Sequence, residues 1–347
     1  MLQRFILCML LVGISHNSLT MDFNNQHPIT NTTETSTISS SSSTQSIRKS
    51  KRKFHETTTE IITQKDSSST SESSLNSQIP FKMEKAFPYN PQRKSNLYNP
   101  SPCVQNKISR SKLDNFLTCP TCFYLNVKLG LTPPPGYPFS LNNAVDAQQK
   151  KTFDLYRTNQ EPHPLCVQEK INAIPFQHKD MNKWQDSLHH GMQADIEGTN
   201  ITLQGGIDDM WENPTTKELH VVDYKATSKK GEVTIDAPWQ EDYKHQVEVY
   251  QAIGREKQLP ISDRAYFVYS NAQTDTATFD DKLDFKTKII PYDGNSSWVK
   301  PAVVKAYEYL QADTIPSDAL SNKLSQQCAL CLYFQRRTEM IAANNNK

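Results

Sequence analysis

Short apolar runs separated by polar turns organise the second half of this chain. Residues 203–211 and 219–224 are rich in Ile, Val, Leu and aromatic side chains, and Asn213-Pro214 followed by Thr215-Thr216 separates them. That pattern predicts two strands of a hairpin. Residues 263–270 and 286–290 have the same character and are predicted as later strands. Longer stretches of mixed polarity with few breakers, 144–157, 239–253 and 298–312, are predicted as helices. An earlier helix is predicted over 107–118, with Ser111 and Asp114 spaced like a capping box and Pro120 ending it. Thr132-Pro133-Pro134-Pro135-Gly136 reads as a stiff loop. Strands interleaved with helices in this order predict an α/β fold, a central mixed β-sheet flanked by helices. No internal repeat is visible.

The first hundred residues have a different character. From 24 to about 106 the chain is rich in Ser, Thr, Asn and Gln, with five serines in a row at 39–43. So few apolar side chains cannot offset the entropy of ordering, and a disordered tail over 21–105 is expected. Arg48-Lys49-Ser50-Lys51-Arg52-Lys53 places five positive charges in six residues. Such a run is usually a solvated basic patch; its sharper readings are nucleic-acid contact and nuclear import. At the amino terminus Arg4 precedes an apolar run, 5–14, and a small polar stretch, the outline of a signal peptide over 1–20. The run is too short to span a bilayer. A start at Met1 predicts export, and a start at Met21 predicts a cytoplasmic protein lacking this segment. What remains is one sizeable domain, 106–340. A net charge of +1 creates no global field toward nucleic acid, so any such contact must come from a local patch. Lys229, Lys230, Lys244 and His245 are candidates for it, with ordinary surface charge as the plain alternative.

Candidate chemistry concentrates on the predicted hairpin. Gly205-Gly206-Ile207-Asp208 lies on the first run and Asp223-Tyr224-Lys225 on the second. Side chains alternate across a strand, so Asp223 and Lys225 share a face, Tyr224 takes the other, and Asp208 on the neighbouring strand can reach the same spot. Two carboxylates make a hard oxygen site suited to Mg2+ or Mn2+, which can polarise a phosphate and activate water. Lys225 beside them can orient that water or offset charge on the phosphate. The plain alternative is an exposed hairpin with a polar face, since a lone Asp-x-Lys is common. Gln246 and Tyr250 follow, four apart and therefore on one face of the predicted 239–253 helix. Three motifs in this order are harder to attribute to chance than any one of them.

Taken together, these segments resemble the motifs of the PD-(D/E)XK nuclease superfamily, and within it the RecB-like branch that includes the CRISPR adaptation exonucleases. The likeness reaches back to Ser109-Arg110-Ser111-Lys112-Leu113-Asp114 and Cys119-Pro120-Thr121-Cys122, and forward to Cys328-Ala329-Leu330-Cys331. It implies a restriction-endonuclease-like core and a metal-dependent, exonuclease-like cut in DNA, single- or double-stranded. Asp208 and Asp223 would hold Mg2+ or Mn2+, Lys225 would assist the attacking water, and Gln246 with Tyr250 would line the site. RecB-like members usually carry a metal-binding histidine on the helix after the opening segment. In the matching stretch, Ser140-Leu141-Asn142-Asn143-Ala144-Val145-Asp146, the aspartate falls at that position. Asp146 is then either a third ligand with an altered metal preference or a solvent-facing helix residue.

The cysteines form a second signal. Cys119 with Cys122, and Cys328 with Cys331, are two CxxC pairs, enough thiolates for a tetrahedral Zn2+ site or a 4Fe-4S cluster. If all four meet at one centre, it clips the start of the domain to its end, at a loop-closure entropy that grows only logarithmically with length. Some RecB-like nucleases carry an iron-sulfur clip of this kind with one cysteine before the motifs and three after. The two-and-two split here leaves zinc and iron-sulfur both open, and the resemblance alone favours iron-sulfur. Disulfides compete with this account, but a domain of this size does not need staples. Cys103 and Cys166 stand outside the pairs. No phosphate-cradling glycine loop appears, so no ATP-driven motor is expected. Besides the nuclease, two other readings stand: a catalytically weakened nuclease fold that only binds DNA, and an exported, disulfide-bonded interaction protein.

Overall fold

The computed structural model describes residues 91–136, 140–321 and 323–345. The signal-like segment, the basic cluster and most of the Ser/Thr-rich tail lie outside the described residues. Strand β1 (Asn106–Ser109) leads directly into α1 (Arg110–Thr118), followed by α2 (Pro120–Val127), α3 (Ser140–Asn159) and α4 (Pro164–Gln168). Next come β2 (Ile174–Pro175), α5 (Met181–Gln185), β3 (Met192–Ile196), β4 (Ile201–Gly205), β5 (Asp209–Glu212) and β6 (Leu219–Thr227). Helix α6 (Glu241–Glu256) carries the chain to β7 (Arg264–Ala272), which pairs with β8 (Phe285–Asp293). Four helices close the sequence, α7 (Val299–Gln311), α8 (Ser317–Ser321), α9 (Lys323–Gln327) and α10 (Ala329–Asn345).

The strands form two mixed sheets flanked by helices, so the α/β expectation holds. One sheet has the order β1-β4-β3 and the other β2-β5-β6-β7-β8. β6 and β7 run parallel, which requires a crossover, and α6 supplies it. The division into two sheets arises inside the run 203–211, which is not one strand. β4 ends at Gly205, β5 begins at Asp209, and Gly206-Ile207-Asp208 carries the chain from one sheet to the other. Gly206 permits this passage: a Cβ there would stand 2.6 Å from Ser187 Cα, which no side chain tolerates.

Packing explains the apolar runs. On one face of the larger sheet, Trp211, Val222, Tyr224, Tyr266, Val268 and Ile289 pack beneath Phe153 of α3. On the other, Met210, Val221, Phe267 and Tyr269 meet Val247 and Ile253 of α6 and the buried face of α7. That face is Val299, Val303, Ala306 and Leu310, spaced by helical turns. With both faces covered, the central strands carry nearly continuous apolar sequence.

Two boundaries differ from those read in the sequence. The predicted helix 107–118 begins as strand β1, because Ile108 is fully buried and lies opposite Leu203 in the parallel β1–β4 register. The helix N-cap is therefore Ser109, whose hydroxyl accepts the Lys112 N–H at 3.3 Å, and not Ser111. Residues 91–105, read as the end of the tail, pack on the domain. Gln92 bridges to Leu131, and buried Tyr98 donates its hydroxyl to Asn200 Oδ1 at 3.0 Å.

Candidate functional site

The β5–β6 register sets the geometry. Asp209 lies opposite Val222 in an antiparallel pair, so Asp208, one residue earlier, comes level with Asp223. Its Oδ2 accepts the Tyr224 N–H at 2.9 Å. Along β6 the alternation is as expected: Tyr224 points to the α3 side, where its hydroxyl donates to Asp209 Oδ2 at 2.6 Å, while Asp223 and Lys225 pair with each other.

Asp223 is completely buried. The Lys225 ammonium pairs with its Oδ2, while Oδ1 has no hydrogen-bond partner. Burial pushes this carboxyl up to about 7; Lys225 pulls it back and Asp208 pushes it further. Lys225 is held from three sides. Besides Asp223, Gln246 Oε1 accepts from its ammonium at 3.3 Å and the Tyr243 ring centroid lies 4.5 Å away. One helical turn on, the Tyr250 hydroxyl accepts from Gln246 Nε2 at 3.1 Å. Tyr250 is buried, and burial pushes its hydroxyl well above the usual range. Its ring lies against Gly205, where a Cβ would come within 3.0 Å of Tyr250 Cδ1, which accounts for the first glycine of the pair.

Helix α3 adds a further cation and carboxylate. Lys150 Nζ stands 3.0 Å from Asp146 Oδ2 and 3.0 Å from Asp208 Oδ1. Burial and Asp208 push the Asp146 carboxyl upward, while Lys150 pulls it back. Burial pulls the Lys150 ammonium down, but Asp208 and Asp146 together outweigh it. Asp146 therefore belongs to the cluster, joined to Asp208 through Lys150.

These groups border a polar cleft of about 370 Å3, lined by Arg110, Lys150, Gln185, Asp208, Gln246 and Tyr250 among others. Asp223, Lys225 and Asp146 are not part of that lining and reach it through Asp208, Gln246 and Lys150. Every catalytic candidate from the sequence, Asp208, Asp223, Lys225, Gln246 and Tyr250, is in this one neighbourhood. Lys150, Arg110 and Gln185 were not singled out there. Lys150 had a usable signal, its four-residue spacing from Asp146 on one predicted helix. Arg110, paired with Asp114, stands inside the quoted opening segment. Gln185 had no local signal, although its Nε2 donates to the Asp208 carbonyl at 2.8 Å and fixes the backbone there. Carboxylate oxygens alone, one of them buried without a partner, form a donor set that fits a hard divalent cation.

The basic candidates separate into two places. Lys229 and Lys230 line a groove of about 640 Å3 with Lys286 and Lys288. Asn271 fixes that loop, its Oδ1 accepting the Lys229 N–H at 2.8 Å and its Nδ2 donating to the Lys229 carbonyl at 2.9 Å. Lys244 instead pairs with Glu241, and His245 packs against Trp298.

The four CxxC thiols are free and converge, all within 4.8 Å of one another. They could hold a metal ion such as Zn2+ or an iron-sulfur cluster. Each pair opens a helix. Cys119 caps α2, its Sγ accepting the Cys122 N–H at 3.3 Å, with Pro120 at the first helical position. Cys328 precedes α10, with Cys331 in its first turn. Amide groups at both helix starts favour thiolate at this point. Without a metal, burial pushes Cys331 up to about 11. Cys166 is free and buried elsewhere, and Cys103 is disulfide-bonded.

Among the described residues, no helix is long and apolar enough to cross a membrane. No family model and no curated protein matches the chain. Among solved structures it is similar to SSO0001, with 9% identity and a TM-score of 0.24, over 65% of this chain and 85% of that one. Likeness of that size carries no argument about what this chain does.

Proposed function

We propose that this chain is a metal-dependent nuclease of the PD-(D/E)XK, RecB-like type that hydrolyses phosphodiester bonds in DNA. The observation that carries the reading is Asp223: a fully buried carboxylate with an unpartnered oxygen, next to Asp208 and clasped to a lysine two residues on. Asp208 and Asp223 are the residues to hold Mg2+ or Mn2+. When bound, that ion supplies Lewis acidity toward the phosphate and lowers the pKa of water. Lys225 places a fixed positive charge where a phosphate oxygen gains negative charge, and Gln246 keeps its ammonium from swinging away. Tyr250 holds Gln246 and closes one wall of the cleft. The DNA backbone is assigned to the groove lined by Lys229, Lys230 and Lys286, whose lysines outnumber its acidic residues Glu232 and Asp275.

The cysteine cluster is assigned as a structural zinc site. With Zn–S bonds of about 2.3 Å, a tetrahedral site separates its sulfurs by about 3.8 Å. The Sγ pairs Cys119–Cys331 and Cys122–Cys328 are 3.8 Å apart and Cys122–Cys331 is 3.4 Å. A 4Fe-4S cube set between the thiolates would hold them much farther apart. Metal analysis of the purified chain is expected to return one zinc and no iron.

The nuclease assignment is tested with labelled single- and double-stranded DNA, incubated with Mg2+, Mn2+ or a chelator, beside an Asp223→Asn variant. Metal-dependent cutting that the variant lacks is the expected result. No cutting by folded, metal-supplied protein would sink it and favour a DNA-binding module on the same fold. The Lys150–Asp208 contact is what speaks for that second reading, because it occupies a carboxylate oxygen that a metal would need.

A further inference from the structure

Both carboxylate oxygens of Asp208 are engaged. Oδ2 accepts the Tyr224 N–H at 2.9 Å and is committed to the backbone of β6. Oδ1 holds the Lys150 ammonium at 3.0 Å, and the same ammonium lies 3.0 Å from Asp146 Oδ2. Helix α3 thus delivers its own cation into the cleft, bridging two of three converging carboxylates. The third, Asp223, keeps an unpartnered oxygen behind them. A divalent ion between Asp208 and Asp223 that takes Oδ1 meets the Lys150 ammonium already there. Two cations cannot share that oxygen in a half-buried site without strong repulsion.

We propose that Lys150 is a resident counter-ion of this cleft, which a divalent cation must displace from Asp208. Asp146, one helical turn before it, is then the tether that keeps the displaced ammonium close, and not a third metal ligand. This inference rests on the metal reading above and adds to it the residue that opposes loading. In the metal-free protein, Lys150 offsets the charge of two carboxylates and keeps the cleft assembled. Its cost is a weakened hold on the ion.

The test is Mn2+ titration of the full chain, followed by the electron paramagnetic resonance signal of free Mn2+, which is lost on binding. Mn2+ prefers oxygen donors and so reports on the carboxylates and not the thiolates. Lys150→Gln is expected to bind roughly tenfold or more tightly than the wild type, because it removes a unit charge from contact with the ion's ligand. Lys150→Arg, which keeps the charge, is expected to stay near the wild type. Asp208→Asn should remove the site in either background.

A second readout needs no variant. Amine acetylation mapped by mass spectrometry should label Lys150 of the wild type faster once Mn2+ is added. Equal affinity in Lys150→Gln and wild type, or unchanged labelling, would overturn the role of Lys150 while leaving the metal reading intact. No Mn2+ bound by any of these proteins would overturn both.

Discussion

Two aspartates on adjacent strands of the same hairpin, Asp209 and Asp223, are both completely buried, and they are treated oppositely. Asp209 is surrounded by donors. Arg157 Nη2 and the Tyr224 hydroxyl each reach it at 2.6 Å, the Met210 N–H at 2.6 Å and Trp211 Nε1 at 3.2 Å. Asp223 has the Lys225 ammonium on one oxygen and no hydrogen-bond donor on the other. Burial pushes both carboxyls upward, and Arg157 with Tyr224 pulls Asp209 back. Burial alone therefore does not mark a reactive carboxylate; the number of internal partners does. A buried carboxylate that the fold has fully satisfied is structural, and one left open has a place for something from outside.

The comparison predicts opposite outcomes for the same chemical change. Asp223→Asn should lower cleavage by about a thousandfold or more, the several kcal/mol that a lost metal ligand removes from transition-state stabilisation. Its denaturant midpoint without metal should move little, because neutralising an open buried carboxyl offsets the lost partner of Lys225, which keeps Gln246 and the Tyr243 ring. Asp209→Asn should instead lower stability by about 1.5–3 kcal/mol, because a buried charge-assisted contact is lost and Arg157 keeps only the half-exposed Asp154 as a carboxylate partner. Urea unfolding of the two variants, beside a cleavage assay under folding conditions, checks both. If Asp209→Asn were stable and inactive, the two residues would have been assigned the wrong way round.

Acidity sharpens the contrast. Burial raises the Asp223 carboxyl to about 7, well above the value of about 3.9 expected when unfolded. In the metal-free protein the folded state then binds more protons than the unfolded state between those values. The Asp223 contribution to stability is therefore fully present below about pH 4 and is lost as pH rises through about 7. Thermal unfolding in chelator, from pH 5 to 8, should show this fall against the opposite pull of His163 and His220, which burial shifts downward, and Asp223→Asn should flatten the falling part. It should not abolish it, since burial also raises Asp114, Asp146 and Asp209. A slope unchanged in Asp223→Asn would break the claim that this carboxyl is the open one.

Much of this was legible in the sequence, for reasons that can be stated. The strands and α6 follow from apolar runs and helical spacing, and the shared face of Asp223 and Lys225 follows from strand alternation. Gln246 and Tyr250 share a face because they are four apart on a helix. What was not legible depended on the passage between sheets. Residues 203–211 look continuous by composition, and nothing local marks the break that turns Asp208 toward the cleft while Asp209 turns inward. Lys150 was hidden for a related reason. Its distance from Asp208 is set by how α3 lies on β6, and only its spacing from Asp146 could be read along the chain. The convergence of the cysteine pairs was an expectation from their number, and their separation became measurable only in three dimensions.

The smallest expected effect tests the passage itself. A Cβ on Gly206 would stand 2.6 Å from Ser187 Cα and 2.9 Å from its nitrogen, and backbone atoms cannot rotate aside. Gly206→Ala should therefore cost about 1–3 kcal/mol, as overpacking does, and shift Asp208 away from the Tyr224 N–H two residues on. Gly136, where a Cβ would meet nothing within 4 Å, is the control, and Gly136→Ala should fall within about 0.5 kcal/mol of the wild type. Cleavage by Gly206→Ala should drop by more than its stability loss explains, since the cut depends on where Asp208 stands. A drop matched by destabilisation alone would mean that Gly206 serves the core and not the cleft, and Asp208 would then owe its position to Gln185 and the Tyr224 amide.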